Sequence, residues 1–211
     1  MRALILAMLV PAVAIAGSNE VTVGSATRAL PSSSASAVAT DSLGGVTFAY
    51  ARELGSFAPR LALWVGGDVA VASTSGTLFQ TMTTDVHELA LSGGARLRYT
   101  PLRHLAIAAR VDVGGARTSL ELRDSAGHDA SDAGWSPFVR VAAAVDLLAV
   151  DRPRFAFGLR VEAGYFSTHG VTLAPAPAPG GDTLTLATMT SSLGRLDLSG
   201  PYVGFAATTR F

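Results

Sequence analysis

The 211-residue chain contains no cysteine and no lysine. Without cysteine there are no disulfides, no thiolate metal sites and no lipid attachment through an N-terminal cysteine. Charge is scarce too: 15% of residues are charged, against roughly 25% in an ordinary soluble domain. The formal net charge is zero, so there is no electrostatic footprint for nucleic acid as a partner. The four histidines, His87, His104, His128 and His169, share no ligand spacing, and no metal site is expected of them. No glycine pattern forms a phosphate-binding loop between strand and helix, and no cofactor is expected. Past the N-terminus, no apolar run reaches the roughly 18 residues that a transmembrane helix needs.

What is abundant is apolar, with 49% hydrophobic residues in a chain whose length suits one domain. The beginning reads as a cleavable signal peptide over residues 1–16. Arg2 supplies the positive charge, Ala3 to Val13 is apolar apart from Pro11, and Ala14-Ile15-Ala16 is a small-x-small cleavage pattern. The mature domain is then residues 17–211.

Within that domain the dominant period is two. Leu61, Leu63, Val65, Val69 and Val71 lie on one parity, and Arg60, Trp64 and Asp68 on the other. The split recurs over residues 87–99, 105–115, 135–147 and 155–165, and nearly every mid-strand charge keeps to the parity opposite the large aliphatics. Such alternation marks strands with two different faces. Pairs of glycines at Gly66-Gly67, Gly93-Gly94 and Gly114-Gly115 sit inside these segments, where they let strands coil and pack closely.

Short links at Gly55–Pro59, Thr100–His104 and Ala149–Arg154 alternate with longer ones at Leu30–Asp41, Thr74–Asp85, Glu121–Gly134 and Thr168–Leu198. That is the pattern of an all-β, antiparallel up-and-down transmembrane barrel with tight periplasmic turns and long extracellular loops. Adding residues 19–28, 43–54 and 200–211 brings the count to eight strands. A ten-strand version arises if Thr183–Met189 and Leu193–Leu198 form a further hairpin.

The apolar parity is continuous over about ten residues, the length of a tilted transmembrane strand, and is expected to face lipid. Aromatics on it cluster near strand ends: Tyr50, Tyr99, Phe155 and Phe211 toward the turns, Trp135 and Tyr165 toward the loops. Two such girdles suit the two headgroup levels. The opposite parity would fill the lumen with Asp68, Glu88, Arg96, Arg98, Arg110, Asp112, Arg140, Asp146, Arg160 and Glu162, joined by Glu20, Glu53, Arg60 and Arg210. Buried charges need partners, so a network of arginine–carboxylate pairs is expected to plug the interior.

These features resemble the small outer-membrane barrels of the OmpA and OmpX type. The resemblance implies an outer-membrane location, contact with outer-membrane lipid and lipopolysaccharide, and a monomer. It also implies recognition by the barrel-assembly machinery of a last strand ending in Phe211, with Tyr202 and Phe205 in the same sense. Ala206 and Thr209 depart from the residues frequent there. The function implied is structural or surface-binding through the outer loops, not enzymatic. Two alternatives stand beside it: a small pore or apolar-solute channel, and a lipid A deacylase-like enzyme using Ser167, His169 and either Glu162 or Asp182. The order of Ser167 and His169 is the reverse of the deacylase pattern.

Overall fold

The computed structural model describes residues 18–78, 82–125, 129–152, 155–177 and 195–211. The proposed signal segment, His128, Asp182 and the stretch Thr183–Met189 fall outside the described residues.

Among the described residues twelve elements follow in order. The strands are β1 (Asn19–Ala29), β2 (Ser42–Ala58), β3 (Leu61–Leu78), β4 (Met82–Leu102), β5 (Leu105–Asp124), β6 (Asp129–Arg152), β7 (Phe155–Thr168), β8 (Val171–Thr172), β9 (Ala176–Pro177), β10 (Arg195–Leu196) and β11 (Gly200–Arg210), with one helix, α1 (Ser33–Ser36), between β1 and β2. Strands β1 to β7 each pair antiparallel with their sequence neighbours. β7 then pairs with β11, and β11 with β1. The ring therefore closes at eight strands, with no position in the wall for a further hairpin. Arg195 and Leu196, which the ten-strand version needed, pair instead with Thr172 and Val171 in a separate ribbon.

The stagger of the ring can be followed residue by residue. Ser18 meets Glu53, and successive partners Trp64, Arg96, Arg110, Ala142, Gly164 and Tyr202 lead back to Arg28, about ten positions further along β1. A stagger of that size tilts eight strands by roughly 40° and leaves an interior wide enough only for side chains. Close approach of neighbouring strands demands glycine at inward positions such as Gly66 and Gly94. A Cβ on Gly66 would collide with the Tyr50 carbonyl, and one on Gly94 with the Val111 carbonyl.

Burial alternates along most of β4, β6 and β7, but its chemistry inverts along the strands. Over the turn-side part, the outward residues are apolar: Val69 and Val71 on β3, Leu89 and Leu91 on β4, Val139 and Val141 on β6 are all exposed. Their neighbours Asp68, Glu88 and Arg140 are buried. Toward the loop end the same parities carry opposite chemistry. Ser73, Ser75 and Thr77 face out while Leu78 is buried, and Arg117, Glu121 and Arg123 sit on the outer face while Leu120 and Leu122 are buried. An apolar belt on the outside requires lipid, because soluble proteins rarely expose contiguous apolar surface of this extent. The loop-end extensions have the inside-apolar pattern of a soluble barrel.

This corrects the expected loops at Thr74–Asp85 and Glu121–Gly134. β3 to β6 run on through most of those stretches, paired as far as Leu78 with Met82 and Arg123 with Asp129. β4 has 21 residues and β6 has 24, about twice what crossing a bilayer takes. The excess length continues as strand because its inner face still has something apolar to cover.

A lipid-face test follows from the inversion. Val141→Arg should destabilise the barrel by roughly 2–4 kcal/mol. Thr77→Arg, on the outward parity of the β3 extension, should leave stability unchanged. Urea unfolding of both variants in lipid vesicles measures the difference.

Candidate functional site

The inward side chains form three levels. At the turn end, Glu20 is a hub: Arg96 Nη1 lies 2.7 Å from Oε1, Arg160 Nη2 donates to Oε1 at 2.9 Å, and Arg98 Nη1 donates to Oε2 at 3.0 Å. Arg160 also grips Asp146 through both its Nε (2.6 Å) and Nη2 (3.0 Å), the bidentate geometry that planar guanidinium permits. Arg96 and Arg98 lie over the ring of Trp64, with guanidinium carbons 5.2 and 5.7 Å from its centroid.

In the middle level, Asp68 accepts from Arg110 at 2.9 Å and from Arg140, and its other oxygen accepts from the Ser92 hydroxyl. Asp112 Oδ2 is shared by Arg110 Nε at 2.6 Å and Arg140 Nε at 2.9 Å. Glu162 accepts from the Tyr202 hydroxyl at 2.6 Å and lies 3.7 Å from Arg110 Nη1. Above this, Arg28 donates to Glu88 at 2.6 Å and sits 4.0 Å over the ring of Phe166, which stacks on Phe138 with centroids 4.3 Å apart.

The loop end is closed by hydrocarbon. Leu30, Ala35, Val38, Leu43, Val86, Leu120, Val171, Leu173, Leu196 and Leu198 form one buried cluster, drawn from the segment around α1, the β8–β10 ribbon and the extended strands. The expected serine- and alanine-rich loop at Leu30–Asp41 is thus part of a folded cap. Polar clamps hold it down. Ser32 Oγ donates to the Asp197 carbonyl at 2.6 Å, and the Ser199 hydroxyl and N–H donate to Asp197 Oδ1 at 2.6 and 2.9 Å. Partial burial alone would raise the Asp197 carboxyl; the two Ser199 bonds, with one from Thr168, hold it below its usual range.

All ten charges assigned to the lumen face inward, though Glu162 and Arg110 keep some exposure. Three of the additional ones need correction. Arg60 is exposed, because it forms the β2–β3 turn with φ 75° and its guanidinium donates to the Pro101 carbonyl. Glu53 lies at the β2 bulge, half-buried, accepting from Ser56. Arg210 reaches only the turn-side mouth, 3.0 Å from Asp151. Glu20, by contrast, is among the most deeply buried side chains. Arg28, Trp64, Phe138 and Phe166 also point into the lumen, each on the parity of a lumen charge of its strand. Tyr202 points inward, away from the lipid face that Phe205 and Phe211 occupy. Of the girdle residues, Tyr99, Trp135, Phe155, Tyr165 and Phe211 are exposed on the outer face. Tyr50 is half-buried, its hydroxyl donating to Asn19 Oδ1 at 2.8 Å.

Among the described residues, which do not include Asp182, the hydrolytic constellation is not assembled. Ser167 and His169 face outward, whereas Glu162 points into the lumen toward Tyr202. An acid on the opposite face of the strand cannot orient that imidazole. Among the described residues there is no cluster of metal-ligating side chains.

No family model matches the chain, and no curated protein matches it. Among solved structures, it is similar to small outer-membrane barrels. Ail of Yersinia pestis, crystallised with the heparin analogue sucrose octasulfate, is 11% identical with a TM-score of 0.48, over 93% of this chain and 100% of that one. Neisserial surface protein A is 11% identical with a TM-score of 0.47, over 92% and 95%. A major outer membrane protein from Thermus thermophilus is 13% identical with a TM-score of 0.48, over 91% and 99%.

The buried hub supplies a test. Glu20→Gln strips the carboxylate that Arg96, Arg98 and Arg160 share and should cost about 3–5 kcal/mol, the usual penalty for stripping a partner from buried charge. Adding Arg160→Met to Glu20→Gln should recover part of that loss. Equilibrium unfolding of the two variants decides it.

Proposed function

We propose that the chain is an outer-membrane surface protein whose barrel anchors a projecting head, with a structural or binding role carried by that head. The observation that supports this most directly is the double closure of the lumen. Charged pairs fill its lower levels and an apolar core covers its loop end. The two cavities inside measure about 90 and 30 Å³. At about 10–15 Å³ per water the larger holds roughly six to nine waters and the smaller two or three. A transmembrane path is not built from such spaces.

The head presents polar side chains outward on strands that continue past the apolar belt, among them Asp85, His87, Glu121, Arg123 and Asp129. Rigid strands position such groups better than loops do. In this reading, residues 1–16 are removed on export. The C-terminal strand β11, ending at Phe211, is what the assembly machinery engages. The wall meets outer-membrane lipid, and Arg117, level with Leu89 and Trp135 at the upper edge of the belt, meets lipopolysaccharide headgroups. The barrel works as a monomer. The pore and deacylase readings have no comparable support in the lumen or at Ser167.

Two measurements test the proposal. Refolded protein in planar bilayers should give no stable conductance steps; stable open steps would restore the channel reading. A thiol introduced by Ser131→Cys should react with an impermeant maleimide on intact cells. The mass of the same purified protein should correspond to a mature N-terminus at Gly17. An unreactive thiol, or a retained leader, would contradict this placement.

A further inference from the structure

The turn-end level of the lumen holds more positive charge than it neutralises. Arg96, Arg98 and Arg160 share only Glu20 and Asp146 there. The middle level has the opposite surplus, with Arg110 and Arg140 among Asp68, Asp112 and Glu162. Beside the excess arginine is a cavity of about 30 Å³ lined by Glu20, Trp64, Arg96, Arg110, Asp112 and Arg160.

The polar groups that remain free around this cavity are donors. Arg96 Nε and Nη2 and the Trp64 indole Nε1 are buried and have no hydrogen-bond partner among the described residues. Arg96 is 7% and Trp64 1% exposed. The carboxylates nearby are already engaged: Glu20 by three arginines, Asp112 by two. Unpartnered buried donors are costly, more so when the group is charged. A water would satisfy the N–H groups but sets no charge against Arg96, whose carboxylate partner Glu20 is shared with Arg98 and Arg160. A small anion does both, and the cavity is of single-ion size.

We propose that the lumen contains a binding site for a small monovalent anion of the chloride class, held by Arg96 Nε and Nη2 and by the Trp64 indole N–H. The glycines opposite make the room, because Gly66 and Gly94 also line the cavity and present no side chain into it. Larger anions are excluded by size, so selectivity runs from halide and nitrate to sulfate and gluconate. The ion is a structural ligand of the barrel: it binds the folded ring alone and stabilises it by mass action.

The site carries its own reporter. The chain has two tryptophans, and Trp135→Phe on the lipid face leaves Trp64 as the sole emitter. In zwitterionic detergent, iodide should quench that emission along a saturating curve, and chloride should compete the quenching away. The heat-induced mobility shift of the parent protein should move to higher temperature in sodium chloride than in sodium gluconate of equal ionic strength. Arg96→Met should abolish both effects. Because that variant risks misfolding, Trp64→Phe provides a second reading that leaves every ion pair in place. There the chloride concentration giving half the thermal shift should rise several-fold. Linear, uncompeted quenching with superimposable chloride and gluconate profiles would overturn the proposal and leave those donors to water. An unchanged half-point in Trp64→Phe would remove the indole from the site.

Discussion

A strand immersed in hydrocarbon has no water to satisfy its N–H and C=O groups, so every edge in the wall must find another strand. Here β1 meets that demand by pairing with β11 from Glu20 opposite Arg210 to Arg28 opposite Tyr202. Closing at eight strands with this stagger makes an interior only a few side chains across. Each inward residue then faces several strands at once. Long arginines span the lumen while Gly66, Gly94 and small alanines give them space. The ion pairs join residues far apart in sequence, such as Glu20 with Arg160 and Arg140 with Asp68.

Lipid also explains why polarity inverts along one continuous strand. Where the outer face of β4 touches hydrocarbon, Leu89 and Leu91 are stable outside and Glu88 and Arg96 must be paired inside. A few residues further on, the outer face meets water, and Asp85 and His87 change places with Val86. The hydrogen-bonded ladder does not change at this boundary; only the solvent does. The cap therefore behaves as an ordinary hydrophobic core standing on a membrane barrel. It shields Arg28 and Glu88 from bulk water.

Much of this was legible in residue order, because the side-chain period of a strand is two and a charge on the wrong parity would sit in lipid. Arg110, Asp112, Arg140 and Arg160 could be assigned inward for that reason. Trp64, Phe138 and Phe166 share the inward parity, but an apolar residue on a charged face carries no signal that separates a lumen filler from an exception. Arg60 misled for a different reason: its parity was right, but it lies in the turn where the strand has ended. The expected loops failed where Val86, Leu120 and Leu122 interrupt polar stretches. Those residues mark strand whose inner face had become apolar.

Residue order alone therefore determined the alternation of strands and links, the direction of each strand and the face turned to lipid, since these depend on local periodicity and link length. It left eight and ten strands both open, and the pairing of β11 with β7 and β1 decided for eight. Tertiary structure decided which arginine holds which carboxylate, that the loop end is sealed by the segment around α1, and that Arg96 and Trp64, both with unpartnered donors, line one small cavity. Those outcomes depend on ring stagger, which brings Ser18, Trp64, Arg96, Arg110 and Arg28 onto a single path of pairing that sequence separation does not reveal.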